Sequence, residues 1–424
     1  MLLGIVVVRA QHIPVKGIPE MRRFTADQYP RHGKIWDIAA ASNGIMYMAG
    51  DAGLLAYDGI RWQQWAGSKG ITRSLCVIND SLIYSGSDLD FGVWQTSTAG
   101  VFQYTSLYPF QADGNAAGEE FWDVFAIRDF VLFVSFQHVY VYKDNQFTKT
   151  AAPSRFRGSF QAGDKLYLVD EKEGVFTFDG RTMQRVFSYP EGSFPHIVGA
   201  METQHGLMLA TRDAGIWWYR SGQLLPSRSA LSQRLAKDQV FSFAVIDGQY
   251  PVFGSILNGV YIADGDENTL QHINKQKDLP NNTVLSACYT PTGMLWLGMD
   301  YGMAAIRIHG RVAYFHDNTG AYGTAQTAFL LGDTFYLGTN QGLYQAAWAS
   351  LDNDRSEKPT FSLVRGSEGQ VWSLQEIDGI LYCGHDRGLF RVEGASLVPV
   401  HNEPGVWTML PWQRDYLLTE TIMA

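Results

Sequence analysis

Short apolar runs separated by glycine-containing turns follow one another along most of this chain. The order is clearest at residues 283–308, where apolar runs at 283–289 and 294–298 flank a turn at 291–293. Gly302 then precedes a third apolar run at 304–308. Runs of about four to eight residues bounded by Gly, Pro, Asn and Asp predict β-strands. Each such unit therefore predicts three consecutive strands joined by tight turns.

The glycine before the third strand marks a repeat. It recurs, followed by an apolar residue, at Gly53, Gly92, Gly174, Gly215, Gly259, Gly302, Gly342 and Gly388, and His138 takes its place once. Successive marks lie 36 to 46 residues apart. A period of about 40–50 residues with several short strands is typical of a β-propeller blade. We expect these glycines to adopt positive φ or to allow a close backbone approach, and the His138 turn to differ in shape.

The fourth strand of each unit is the least regular, as expected at the outer rim of a propeller, where burial is least. The predicted fourth strands are residues 60–65, 101–104, 147–150, 185–189, 270–273, 312–315, 361–364 and 397–400. Helix is almost absent, and residues 229–238 are expected to form a loop between blades with at most one short helical turn. The predicted fold class is all-β, a β-propeller of four-stranded blades.

Counting blades divides the chain. The seven marks from Gly53 to Gly302 predict a first seven-bladed propeller over residues 18–320, followed by a linker at 317–323. Residues 323–424 are then the first blades of a second propeller, and a unit that begins at residue 406 ends before its glycine turn. We therefore expect the chain to be a fragment. One ring of nine or ten blades is disfavoured because about 4–8 is usual.

The first eleven residues resemble the last part of a signal peptide. An apolar run at 2–8 precedes Arg9-Ala10-Gln11, and no Lys or Arg precedes Leu2. One interpretation places the start inside a longer export signal, which predicts a periplasmic protein. The other makes residues 2–8 an ordinary buried strand. On the export interpretation, Cys76, Cys288 and Cys383 are expected to be unpaired core residues.

Composition narrows the function classes. Hydrophobic residues make up 46% and charged residues 18%, a balance that excludes a disordered chain. The net charge of -9 argues against nucleic-acid binding by this segment. No apolar run reaches the roughly 18 residues that a membrane-spanning helix needs.

Residues 291–303 resemble the two-component regulator propeller repeat, with a Pro-Thr-Gly turn, a Met-Leu-Trp-Leu-Gly strand and then Gly302-Met303. Residues 24–62, with Trp36-Asp37, Gly44-Ile45 and Gly53-Leu54, are similar to the opening of Bacteroidetes-type sensor regulators. The resemblance implies a non-catalytic periplasmic sensor in signal transduction. It further implies a missing C-terminal sandwich with a triple-tyrosine motif, a membrane anchor and a transducer, which is a LuxR-type helix-turn-helix or a histidine kinase. Full-length members often form homodimers through the sandwich.

No motif for catalysis, metal binding or a cofactor is present, so no catalytic residue, metal ligand or cofactor is predicted. Asp88–Gly92 and the acidic residues 264–268 could begin cation loops, but solvated turns are favoured for both. The candidate ligand-binding residues share a place near the start of predicted innermost strands, where the channel of a propeller opens. They are Trp36, Asp37, Arg73, Trp122, Asp123, Arg157, His196 and Phe241.

Aromatic faces beside Asp and Arg suit an oligosaccharide or another small polar ligand. In the alternative interpretation, Trp36 and Trp122 pack between blades, and the charged residues form hydrogen bonds between blades. At the level of function, the predicted extracytoplasmic sensor has two alternatives. One is a propeller scaffold that binds another protein, and the other is a secreted propeller enzyme acting on polysaccharide.

Overall fold

The structure is a computed structural model. It describes residues 13, 16–30, 33–66, 70–98, 100–108, 119–162, 165–189, 194–314, 320–351, 361–412 and 416–420. Two compact units separate, with residue 13 and Pro19–Val312 in unit one and residues 16–18 and Ala313–Ala424 in unit two. The sequence-based boundaries at residues 11, 18, 320 and 323 stay predictions, and residues 1–11, the expected signal-peptide remnant, lie outside the described residues.

Within its described residues, unit one contains seven four-stranded antiparallel sheets, the blades. The innermost strands of blades one to seven are Ile35–Ala40, Thr72–Asn79, Phe121–Ile127, Phe156–Ala162, Ile197–Thr203, Val240–Ile246 and Val284–Tyr289. The second strands are Met46–Gly50, Leu82–Ser87, Phe130–Ser135, Lys165–Asp170, Gly206–Thr211, Tyr250–Ser255 and Met294–Met299. The third strands are Gly53–Tyr57, Phe91–Thr96, His138–Lys143, Gly174–Phe178, Ile216–Arg220, Val260–Ala263 and Met303–Arg307. The outer strands are Trp62–Trp65, Phe102–Ser106, Gln146–Ala151, Met183–Phe187, Gln223–Pro226, Thr269–Ile273 and, in blade seven, Met21–Phe24.

Blade seven is completed by the N-terminal end of the unit. Met21–Phe24 pairs antiparallel with Met303–Arg307, with Phe24 opposite Met303. The sequence-based expectation that residues 312–315 form this outer strand is wrong, because Ala313–Tyr314 belongs to a separate two-stranded sheet, which also contains Ile18–Pro19. Residues 312–315 were expected because they follow the third strand directly, as a hairpin partner does. A strand that pairs with a segment some 280 residues away leaves no local sequence pattern that would predict it.

The innermost strands of neighbouring blades pack against each other, and that of blade seven packs against that of blade one. The blades therefore form a closed ring around a central channel, and the predicted β-propeller fold is confirmed. Apolar side chains fill the spaces between blades. Between blades seven and one, Phe24 stacks on Trp296 with ring centroids 5.5 Å apart and meets Tyr57 and Trp62 edge-on.

Small residues let adjacent blades approach closely. A Cβ added at Gly298, in the second strand of blade seven, would lie 2.2 Å from Ser286 Oγ and 2.6 Å from Ile35 Cγ2. Ser286 Oγ itself donates to the carbonyl oxygen of Ile35 at 3.2 Å, and Ser74 and Ser242 make the same kind of bond to their own next blades. A serine hydroxyl and a glycine thus fasten one innermost strand to the next.

The turn glycines show both expected features, which are positive φ at some positions and a close backbone approach at others. Gly302 has φ of 87°, which disfavours a side chain. At Gly92 φ is not positive, but an added Cβ would lie 2.3 Å from the carbonyl oxygen of Thr105 in the outer strand. His138 also lacks positive φ, and its backbone N–H donates to Ser135 Oγ at 2.9 Å.

The segment between blades five and six is an α-helix, Ala230–Asp238, rather than the expected loop with one turn. Ser229 caps it, because its Oγ accepts from the backbone N–H of Ser232 at 3.0 Å. Leu231 and Leu235 are buried against blades five and six, so tertiary packing stabilises a helix too short to be stable alone. Short 3₁₀ helices occupy Lys275–Lys277 and Trp348–Leu351.

Unit two contains further blades of the same design. Its two four-stranded sheets are Ala325–Leu331, Thr334–Thr339, Leu343–Ala347 and Ser362–Leu363, then Val371–Ile377, Ile380–His385, Gly388–Glu393 and Ser396–His401. Thr408–Trp412 and Tyr416–Glu420 form a two-stranded sheet. In the described part of the chain, no helix is long and apolar enough to cross a bilayer.

Replacing Phe24 with Ala should weaken the closure of the ring. The side chain is 3% exposed, and its loss leaves a cavity among three aromatic rings. Removal of a buried Phe typically costs about 3–5 kcal/mol in the free energy of unfolding. Urea denaturation followed by tryptophan fluorescence measures the change. Arg23→Ala, on the exposed side of the same strand, is the control and should cost less than about 1 kcal/mol.

Gly298→Ala should destabilise unit one by about 1–3 kcal/mol, because the added methyl group overpacks the contact between blades seven and one. Gly265→Ala is the matched control. Gly265 lacks positive φ and has no heavy atom within 4 Å of an added Cβ. Equal unfolding midpoints for the two variants would contradict the close-approach role of Gly298.

Candidate ligand-binding site

Each innermost strand of unit one contains a β-bulge at the same place. The first and third residues of the innermost strand pair with consecutive residues of the second strand, so the residue between them is left unpaired. The unpaired residues are Trp36, Arg73, Trp122, Arg157, Val198, Phe241 and Leu285. A bulge redirects a side chain away from the ladder. All seven residues line one cavity of about 770 Å³ at this end of the channel.

A second position, the rim position, lies beside each bulge. It is the first residue after the second strand: Asp51, Asp88, Phe136, Glu171, Arg212, Ile256 and Asp300 in blades one to seven. In blades two, four, five, six and seven its backbone N–H donates to the carbonyl oxygen of the residue that precedes the innermost strand, as in Asp88 to Ile71 at 3.2 Å and Arg212 to His196 at 2.8 Å. The rim residue of a blade is therefore placed to contact the bulge residue of the same blade.

Arg73 is held between two indole rings. Its guanidinium carbon lies 4.5 Å from the centroid of Trp36 and 4.4 Å from that of Trp122. Its Nε donates to Asp88 Oδ1 at 2.7 Å. Two cation–π contacts and one charge-assisted hydrogen bond fix this side chain. Arg73 therefore packs in the corner formed by the two tryptophans and supports the position of both rings.

The tryptophans are anchored by their own N–H groups. Trp36 Nε1 donates to Asp51 Oδ1 at 2.8 Å, and Trp122 Nε1 donates to Glu120 Oε2 at 2.9 Å. The two rings meet edge-on, with centroids 5.9 Å apart and planes at 88°. Since the N–H groups are already bound, the rings offer apolar faces and edges to the cavity.

His196 and Phe241 lie in the wall near Arg212. The Phe241 ring is 6.4 Å from Trp36, and the Arg212 guanidinium carbon lies 5.3 Å from the centroid of Phe241. Burial, together with the positive charges of Arg212 and Arg157, lowers the pKa of His196 to about 4. His196 is therefore neutral at physiological pH and can both donate and accept a hydrogen bond.

Asp37 and Asp123 join neighbouring blades. Asp37 accepts from the backbone N–H groups of Ile38 and, in blade two, Leu75, both at 2.8 Å. Asp123 accepts from Ser159 Oγ in blade four at 2.5 Å. Burial raises the pKa of Asp37 to about 7 and that of Asp123 to about 6. These bonds fit the alternative that assigned the charged candidates to contacts between blades.

The structure brings all eight predicted residues together around the cavity. Arg157 is the most exposed of the charged four, and its Nε donates to Glu171 at 3.1 Å. That these residues bind a ligand stays a prediction. Sequence reasoning missed Arg212, although aligning the repeats would have shown a cation where most blades have an acid or an apolar residue.

The two acidic loops have structural roles. Asp90 accepts from Tyr104 OH at 3.1 Å and Ser106 Oγ at 2.7 Å. Glu267 accepts from Trp218 Nε1 at 2.6 Å and Ser227 Oγ at 2.5 Å. Among the residues that the structure describes, no group of three or more His, Cys, Asp or Glu side chains is arranged to hold a metal ion.

His196 predicts a pH dependence of stability. An unfolded histidine titrates near about 6.5, whereas folded His196 takes up its proton near pH 4. The unfolded state therefore binds more protons as the pH falls through this interval, and stability is lost. As the pH falls from 6.5 to 4, His196→Gln should lose less unfolding free energy than the wild type, measured by urea denaturation, and the buried Asp37 and Asp123 titrate in both proteins and so cancel in the comparison. The same slope in both proteins would contradict a neutral, buried imidazole.

Solved structures with this fold include extracellular domains of sensors. The extracellular domain of the hybrid two-component system BT3049 from B. thetaiotaomicron has a TM-score of 0.65 and 12% identity, over 95% of this chain and 58% of that one. That of BT4673, from the same organism, has a TM-score of 0.54 and 15% identity, over 95% and 57%. Virginiamycin B lyase from Staphylococcus aureus, in a catalytically inactive form with quinupristin, has a TM-score of 0.55 and 8% identity, over 68% and 99%.

No protein-family profile and no curated protein sequence matches the chain. At these identities the likeness concerns the fold, and the chain spans less than three fifths of the length of the sensor domains. The structural neighbours nevertheless include the class of protein that the repeat motif resembles. The chain has the β-propeller fold of the extracellular domains of hybrid two-component sensors.

Proposed function

We propose that this chain is the extracytoplasmic sensing region of a signal-transduction regulator and that unit one binds a small polar ligand at its channel mouth. The observation that carries the proposal is the cavity of about 770 Å³ lined by the bulge residues of all seven blades. The fold shared with extracellular sensor domains over 95% of the chain supports the sensing role.

The chemistry of the cavity favours an oligosaccharide. Apolar faces of Trp36, Trp122 and Phe241 suit the apolar faces of sugar rings, and the neutral His196 suits hydroxyl groups. These groups are held by hydrogen bonds and cation–π contacts before any ligand arrives, so little entropy is lost in ordering them.

A ligand at this place would contact several blades at once. It would stabilise the closed ring by mass action, since it binds the folded state alone. We propose that the output lies beyond this chain, in a triple-tyrosine sandwich, a membrane anchor and a helix-turn-helix or kinase transducer, with a homodimer as the signalling form. The limited coverage of the longer sensor domains is consistent with such an arrangement.

A glycan-array screen followed by calorimetric titration tests the binding site. We expect Trp122→Ala to weaken binding of any array hit by about 10-fold or more, because the variant removes an aromatic face of the cavity and releases Arg73. Trp65→Ala is the matched control, since Trp65 lies on the outer strand of blade one and packs on Phe102 with centroids 4.9 Å apart. The control should bind like the wild type.

The outcomes separate the alternatives. Binding that is equal in the wild type and in Trp122→Ala would remove the channel mouth as the site. A hit that is converted to products, detected by chromatography, would favour a propeller enzyme. Capture of a protein partner that competes with no glycan would favour a scaffold.

A further inference from the structure

The rim position of unit one is occupied mainly by carboxylates. Blades one, two, four and seven have Asp51, Asp88, Glu171 and Asp300 there, while blades three and six have Phe136 and Ile256. Blade five has Arg212. Within the described ring, Arg212 is therefore the single cation at a position that elsewhere has an acid or an apolar residue.

Each rim carboxylate has a donor close by. Asp51 and Asp88 accept from the bulge residues Trp36 and Arg73, and Glu171 accepts from Arg157. Asp300 pairs with the ammonium group of Lys34 at 3.3 Å. The rim therefore follows one rule, in which an acid neutralises or anchors a donor beside it.

Arg212 has no such partner among the described residues. The bulge residue of its own blade is Val198, which can neither accept a hydrogen bond nor carry a charge. Arg212 Nε is buried without a hydrogen-bond partner, and the guanidinium forms no ion pair with any described residue. Its guanidinium carbon lies 5.3 Å from the centroid of the Phe241 ring. The buried Nε–H of this guanidinium lacks an acceptor, and such a buried donor is unfavourable until an acceptor arrives.

The surrounding charges leave this cation uncompensated. The guanidinium of Arg157 is engaged with Glu171, and His196 is neutral. Asp213, the next residue, is exposed; its charge acts on His196, but it forms no ion pair with Arg212 within 4 Å. Asp123 is bound to Ser159, and Asp37 accepts from two backbone N–H groups. Positive charge is thus left at one point of a wall that otherwise offers aromatic faces.

We propose that Arg212 binds the carboxylate of a sugar acid, so that the ligand of the channel mouth is an acidic rather than a neutral saccharide. This inference rests on the proposed function. The planar fork of a guanidinium matches the two oxygens of a carboxylate, and the aromatic rings of the same cavity can contact the sugar ring. Arg212 would then determine specificity, while the tryptophans supply general affinity.

The test compares two trisaccharides that share ring and linkage and differ in their carboxylates: cellotriose and the β-1,4-linked trimer of glucuronic acid. Calorimetric titration at low salt should show the acidic trimer binding about 10-fold or more tightly. Arg212→Gln should abolish the difference. Arg220→Gln should retain it, because Arg220 also has a buried Nε without a partner but stacks on Trp218 at the far end of the third strand, away from the cavity.

A second readout reports the site directly. A carboxylate bound beside His196 favours the charged imidazole, so the pKa of His196, followed by NMR, should rise on adding the acidic trimer to the wild type. It should not respond in Arg212→Gln, whose fold is checked by its thermal midpoint. Titration with sodium sulfate distinguishes a sugar acid from a free inorganic anion.

Each result decides the inference. Equal affinity for both trimers, unchanged in Arg212→Gln, would overturn it and leave the proposed function standing. Sulfate binding as strongly as the acidic trimer would overturn the sugar part and assign an inorganic anion. If neither the acidic trimer nor sulfate changes the pKa of His196, the anion site is overturned. A neutral glycan from the array that still binds would then leave the sensor proposal standing.

Discussion

The structure of unit one depends on closing a ring. A single blade has two apolar faces and cannot bury both, so each sheet needs a neighbour on either side. The last gap is closed by Met21–Phe24, which pairs with Met303–Arg307. Phe24 then completes an aromatic cluster between blades seven and one. The channel and its mouth exist because this pairing makes the seven sheets into one closed surface.

The bulge in each innermost strand separates folding from recognition. In five of the seven blades the residue after the bulge fastens one blade to the next, through Ser74, Ser242, Ser286 or the carboxylates of Asp37 and Asp123. The bulged residue itself takes no part in those bonds and lines the cavity. Its identity can therefore vary from Trp to Arg to Val without loss of the ring. In such a repeat the contacts between blades are preserved, while seven side chains that line the cavity can change to suit a ligand.

Local patterns were sufficient for the blades and for much of the site. The spacing of the glycines from Gly53 to Gly388 indicates the repeat, because each position requires either positive φ or the absence of a side chain. The eight candidates lie around one cavity because they start innermost strands, which the ring brings together. The closing strand was missed because its partner lies some 280 residues away. The helix Ala230–Asp238 was missed because packing on Leu231 and Leu235, not propensity, stabilises it.

The closing strand comes from the N-terminal end of unit one, and this determines the order in which the ring can fold. A chain that emerges from a ribosome or an export channel N-terminus first presents Met21–Phe24 long before Met303–Arg307 exists to receive it. During that interval the strand must stay unpaired, and the face of blade one that packs against blade seven is uncovered. Blades one to six can form in turn, but blades one and six each keep one uncovered face until blade seven arrives. Completion of the ring is therefore a single late event, and the channel mouth becomes competent for a ligand only then.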